Sequence, residues 1–139
     1  MTDCIFCAIV DGSAPADLVA EDEHTVSFMD INPVNPGHIL TVPRRHAADV
    51  WDLTEAESVN LMVATRRVCH QIRRALAPPG LDLFVANGEA GGQTVFHVHV
   101  HAIPRWPSDQ WIDPWTPTPG DPADIANVAA RLRSSATDA

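Results

Sequence analysis

Apolar and polar positions along this chain recur with two periods, near two and near 3.6 residues, and the periods divide it into strands and helices. Residues 18–21 and 24–30 read as short strands on either side of an Asp22-Glu23 turn. Ile31-Asn32-Pro33-Val34-Asn35-Pro36-Gly37 is a loop, because its two prolines and its glycine suit neither a helix nor a central strand. Residues 38–43 form a strand stopped by Pro43. A long helix follows. Thr54-Glu55-Ala56-Glu57 is a capping box, and Leu61, Thr65, Val68, Ile72 and Leu76 recur at i+3/i+4 spacing with Arg66, His70 and Arg74 largely opposite. Pro78-Pro79-Gly80 ends it. Residues 81–87 alternate as a strand, Gly88-Glu89-Ala90-Gly91-Gly92 is a flexible loop, and residues 96–103 alternate again. At the ends, residues 3–12 make a compact start closed by Gly12, and residues 123–134 suit a short helix through Ile125, Val128 and Leu132. The sum is an α+β domain with about five short strands, one long helix and short flanking helices.

With 139 residues the chain makes one domain of ordinary size. Its 45% hydrophobic and 19% charged content is that of a globular protein. All nine basic residues are Arg, and they stand in separate pairs or singly on a chain of net charge −9. Nucleic-acid polymers need a concentrated positive face, so they are excluded as partners, while a single nucleotide is not. No apolar run is long enough for a membrane span, and the N-terminus lacks a basic-then-apolar leader. Three cysteines without such a leader point to a reduced, cytoplasmic setting. Residues 106–122 hold three of the four Trp and five of the twelve Pro, which predicts an ordered but irregular arm.

Candidate chemistry concentrates in Phe96-His97-Val98-His99-Val100-His101-Ala102-Ile103. On a strand the three imidazoles share one face at spacings of roughly 6.5–7 Å, and Val98, Val100 and Ala102 take the other. Protonating all three is costly, so the pattern favours neutral lone pairs or N–H donors. If Nδ1–H of one ring donates to a backbone carbonyl, its Nε2 can attack phosphorus and form a phospho-histidine that water later cleaves. His101, His38 and the Thr94 hydroxyl are donors for the charge that develops, and the preceding glycine-rich loop lets backbone N–H groups approach a phosphate. Alternate histidines equally suit chelation of a catalytic metal. The spacing leaves both readings open.

Gly91-Gly92-Gln93-Thr94-Val95-Phe96-His97-Val98-His99-Val100-His101-Ala102-Ile103-Pro104 resembles the signature of the histidine-triad (HIT) nucleotide-binding superfamily. Phe28-Met29-Asp30-Ile31-Asn32-Pro33 and Pro36-Gly37-His38-Ile39-Leu40-Thr41-Val42-Pro43 resemble its nucleotide-pocket segments. The likeness runs over residues 3–105, which would form the HIT domain, with 106–139 as a C-terminal arm and short helix of the same domain. It implies a HIT-like fold built on a five-stranded antiparallel sheet. It also implies that His99 is the nucleophile, that His101, His38 and Thr94 contact the phosphate, and that Asp30 binds the ribose. Ile31 would flank the base, and Asn87 and Gln93 would help hold the substrate. Ala102 departs mildly from the larger apolar residue usual there, which bears on packing more than on chemistry.

Cys4-Ile5-Phe6-Cys7 has zinc-knuckle spacing but supplies only half of a tetrahedral site. Its place ahead of any strand argues against a redox pair. The sequence resembles the zinc-containing bacterial Hint-like branch of the superfamily, where the other two ligands fall on His46 and His97. Such a Cys₂His₂ site has no open position, so its Zn²⁺ would be structural. Cys69 reads as an inert thiol, His24 and His70 as solvent-exposed, and Trp51 as a packing residue.

The resemblance implies a hydrolase or transferase that forms a nucleotidyl-histidine at the α-phosphate and releases a nucleoside monophosphate such as AMP. A purine nucleoside phosphoramidase is the first expectation. The alternatives are a dinucleoside polyphosphate hydrolase, a non-catalytic nucleotide-binding module and, from the triad spacing, a metallohydrolase. A homodimer is implied too, with the two sheets joined edge to edge.

Overall fold

The computed structural model describes residues 3–111 and 115–135; residues 112–114 and 136–139 of the expected arm lie outside the described residues. Among the described residues three α-helices, α1 (Ile5–Asp11), α2 (Glu55–Leu76) and α3 (Pro122–Ser134), accompany five strands. The strands are β1 (Leu18–Glu21), β2 (Thr25–Met29), β3 (Ile39–Pro43), β4 (Gly80–Phe84) and β5 (Val100–Arg105). They form one sheet of order β1-β2-β3-β5-β4, and every neighbouring pair is antiparallel. The expected α+β architecture is therefore present.

Alternation along the central strands assigns the two faces. Ile39 and Ala102 point to the face that α2 covers with Val68 and Ile72. Leu40, Val42, Val26 and Phe28 point to the other face, where Phe6 of α1 closes the core. All of β3 is buried, as a strand covered on both sides must be. The capping box forms as expected: Thr54 Oγ1 accepts from Glu57 N–H and Glu57 Oε2 from Thr54 N–H. Arg45 adds a bidentate pair to Glu57, holding that carboxyl at about 2. Ala77, in the left-handed region at φ 47°, caps the helix ahead of the prolines. Gly12 ends α1 in the same region at φ 84°.

Four expectations need correction. The strand bearing the histidines begins only at Val100, so His97 and His99 precede it. The chain bends at residues 95–97, and its partner there is the segment after Pro43, where Val98 N–H donates to Ala47 O at 2.7 Å. The strand expected over 81–87 stops at Phe84, whose pairing with His101 is the last between β4 and β5. Leu76 lies at the exposed end of the α2 stripe. Trp51 sits in a one-turn 3₁₀ helix, 78% exposed, because nothing packs over that turn.

Candidate active site and metal centre

The sheet register brings the polar site together. Leu40 pairs with His101 across β3 and β5, so His101 shares the α1 face with Leu40. His38 lies two residues before Leu40, and Asp30 two after Phe28, so both reach the same face at the strand ends. Asp30 N–H donates to His38 O at 3.0 Å and locks the two ends together. Gly37 turns the chain into β3 with φ 92°, and a Cβ there would overlap the Leu76 side chain; only glycine suits this turn.

The hydrogen bonds fix the proton positions of the rings. His99 Nδ1–H donates to His97 O at 2.8 Å, which leaves the Nε2 lone pair as the ring's reactive position. His38 Nδ1 accepts from Val34 N–H at 3.0 Å, so the neutral ring carries its proton on Nε2. That proton is donated to His101 Nδ1 at 2.8 Å, and His101 is left with an Nε2–H donor. Asp30 Oδ2 stands 3.3 Å from His38 Nε2 and 3.8 Å from His101 Nδ1, while Asp30 Oδ1 accepts from Asn32 N–H. Burial pushes the proton affinity of His38, His99 and His101 down. For His101, with His99 and His38 adding to the effect, the value is about 4. All three rings are therefore neutral near pH 7.

This has a consequence for stability. His101 is a base whose folded value lies below its unfolded one near 6.5. The unfolded chain therefore binds more protons between these values, and stability is full above about pH 6.5 and lost as the pH falls toward 4. The expected loss from this ring is on the order of 3 kcal/mol. Urea denaturation at pH 7 and pH 4.5 measures it, and His101→Asn should flatten the dependence relative to the parent.

His99 and His101 line a cavity of about 460 Å³ that opens between α1, the end of β2 and the loop before β5. Ile5, Phe6 and Ile9 of α1, with Phe28, Ile31 and Leu40, are among its apolar walls, and Thr94, Asp30 and Asn32 are its polar members beside the histidines. Ile31 is 89% exposed, as a side chain waiting at a rim would be. The walls from α1 are site residues that sequence reading missed: a short apolar helix reads as core, and only its tertiary placement turns it toward a cavity. Gln93 faces inward instead. Its Nε2 donates to Ala48 O and Val95 O, and its Oε1 accepts from Gly88 N–H, so it holds the glycine loop in shape. Asn87 Oδ1 accepts from Val50 N–H at 2.7 Å, and Asn87 is not among the residues lining the cavity. Cys69 is half-buried, with burial pushing its thiol up, and His24 and His70 are exposed.

A second constellation lies behind the triad. The ligand atoms of Cys4, Cys7, His46 and His97 fall within 4.8 Å of one another. His97 Nδ1 is 3.5 Å from each Sγ, and Cys7 Sγ is 3.2 Å from His46 Nδ1. Bonds of about 2.3 Å to sulfur and 2.0–2.1 Å to nitrogen in a tetrahedron put S and N roughly 3.5 Å apart, so the four side chains fit a metal ion. His97 Nε2–H donates to Pro43 O at 2.8 Å, which frees Nδ1 for the ion and fixes the ring. Asp30, His38 and His101 also converge, but Val34 N–H keeps the proton on His38 Nε2. That cluster shares a proton, and a cation there would have to break the Val34 bond.

A neutral imidazole with one open lone pair, an adjacent imidazole N–H donor and an apolar slot, set on an antiparallel α+β sheet, have the chemistry that nucleophilic group transfer requires. The HIT domain model matches residues 11–108, and the chain belongs to the HIT family. It is 38% identical to protein hit of Bacillus subtilis over 95% of this chain and 96% of that one. The crystal structure of a HIT family member from Bacillus subtilis superposes with a TM-score of 0.92 at 33% identity, covering 99% of this chain and 100% of that one. A zinc-bound histidine triad family protein from Mycobacterium smegmatis superposes with a TM-score of 0.75 at 32% identity, covering 96% and 98%. HIT family proteins are generally nucleotide-binding hydrolases or transferases.

Proposed function

We propose that this protein is a purine nucleoside phosphoramidase that works through a nucleotidyl-His99 intermediate. The observation that carries the reading is the His99 Nδ1–H bond to the His97 carbonyl, which leaves Nε2 as the ring's nucleophilic atom beside the cavity. Its lone pair forms a bond to the α-phosphorus as the P–N bond to the leaving amine breaks. His101 Nε2–H supplies the proton to that nitrogen, and His38 Nε2–H can replace it through His101 Nδ1. Water then attacks phosphorus, giving a proton to the emptied His101 Nε2 as the proton on His101 Nδ1 returns to His38 Nε2; the Nε2–P bond breaks, and the nucleoside monophosphate leaves. Thr94 donates to the phosphoryl oxygens, as His101 Nε2–H does until it passes its proton to the amine. Asp30 accepts from the ribose hydroxyls, and the base lies in the apolar slot against Ile31, Ile5 and Ile9. Gln93 and Asn87 support the site by holding the glycine loop and the turn at Val50.

Charge favours a phosphoramidate over a dinucleoside polyphosphate. Among the described residues no arginine lines the cavity, and Asp30 is its one carboxylate. A polyphosphate chain would enter without countercharge, whereas an amine leaves neutral. Side-by-side kcat/KM on adenosine phosphoramidate and a diadenosine polyphosphate tests this: at least a tenfold preference for the phosphoramidate is expected, and the reverse order contradicts it.

Zn²⁺ is the ion we assign to Cys4, Cys7, His46 and His97. Two thiolates and two imidazoles suit zinc, and the four protein ligands leave no open position. Its contribution would be structural, joining α1 to the segment that carries His99. A homodimer is the assembly that fits the surface. β4 is an edge strand with Leu83 and Phe84 exposed, followed by exposed Val85, and such edges pair with other chains. Ile125, Val128 and Leu132 form an exposed apolar stripe on α3, which gives the arm of residues 106–139 a surface for the second copy. Light scattering at micromolar concentration should give twice the chain mass; a monomer contradicts the assembly. Among the described residues, no helix is long and apolar enough to cross a membrane.

A further inference from the structure

We infer that Phe6 is a positioning residue that couples the Cys₂His₂ metal site to the nucleotide cavity, so that nucleotide and metal each bind more tightly in the presence of the other. The inference rests on the nucleotide and zinc readings above and adds a linkage between them.

α1 belongs to both sites. Cys4 is its N-cap and Cys7 lies in its first turn, while Ile5, Phe6 and Ile9 between and beyond them form a cavity wall. A helix of seven residues is too short to hold itself together in water, so its place depends on what it is tied to. One tie is the pair of thiols facing His46 and His97. The other is Phe6, which is buried and stands edge-on to three rings: His99 at 5.0 Å, Phe28 at 5.3 Å and His97 at 6.1 Å. One side chain thus touches a metal-ligand ring, the nucleophile ring and the floor of the slot. Seating a nucleotide against this wall restrains α1, and the same restraint keeps both thiols at the ion. By thermodynamic reciprocity the factor is the same in either direction.

The test uses the zinc-loaded protein and AMP. Zinc is titrated away with a chromogenic chelator at several AMP concentrations, after metal content and AMP affinity have been measured separately. In the parent protein, saturating AMP should raise the chelator concentration needed for half-removal by about tenfold, within the usual range of couplings. Phe6→Ala keeps all four ligands, the histidines and Asp30. It should still carry one zinc and bind AMP, yet show a shift below threefold. Phe6→Leu, which keeps an apolar filler in the same place, is read in its stead should the alanine variant not fold, with the same expectation. A merely structural Phe6 would lower stability and leave the shift intact. An unchanged shift in the variant, or no shift in a parent that holds both zinc and AMP, overturns this inference alone. A parent that takes up no zinc, or binds no AMP, removes the underlying site assignment as well.

Discussion

His99→Gly is expected to lower kcat by about 10⁴–10⁶-fold, the scale seen when a covalent nucleophile is removed. That is about 5–8 kcal/mol of barrier. The loss should appear in kcat, with AMP affinity changed by less than about tenfold, or roughly 1.4 kcal/mol. The reason for the split is spatial. The apolar walls and Asp30 belong to α1, β2, β3 and the loop after β2, and of the named walls it is Phe6 that stands against the His99 ring, while its contacts with Phe28 and His97 remain in the variant. His99→Asn is the companion variant, because it fills more of the space against Phe6. Steady-state kinetics and calorimetric AMP titration check both. Binding and turnover that fall together would point to collapse of the pocket, and retained turnover would assign the attack to another group.

Removal of the metal should have the largest effect on stability. The four ligands come from the start of α1 and its N-cap, the turn after β3 and the segment before β5, so the ion would join three segments separated by up to 93 residues. Cys7→Ala is expected to destabilise by about 3–5 kcal/mol, because binding free energy at such a site is folding free energy. For a domain of this size that lowers Tm by about 10–20 °C. Calorimetry with and without a strong chelator measures it: the parent should fall to near the variant's Tm, and the variant should not respond. A parent carrying zinc whose Tm ignores its removal would refute the structural assignment.

The helices and most of the sheet were legible because their signals are local. Thr54 and Glu57 announce α2, the 3.6-residue stripe from Leu61 to Ile72 gives its buried face, and Pro43 marks the end of β3. The HIT family membership was legible because several ordered motifs stand in register around His38 and His99. What could not be read depends on neighbours distant in sequence. His97 and His99 share the period-two pattern of β5 without belonging to it, since the β3–β5 ladder stops at the Thr41–Val100 pair and Val98 bonds instead to the segment after Pro43. The tautomers of His38 and His101 follow from one backbone N–H at Val34, which no pattern displays. Phe6, Ile5 and Ile9 look like core in sequence and become a cavity wall only through the placement of α1. Trp51 shows the opposite error, an apolar side chain left in solvent because its turn lies at the surface.

Intact-protein mass spectrometry after rapid acid quench, with adenosine phosphoramidate as substrate, puts the covalent step to the hardest trial. An adenylyl group should appear on the protein within the first turnover and map by fragmentation to His99, with none in the His99→Gly variant. A fully active enzyme with no adduct at any quench time, or with the adduct on a different side chain, would contradict attack by that imidazole.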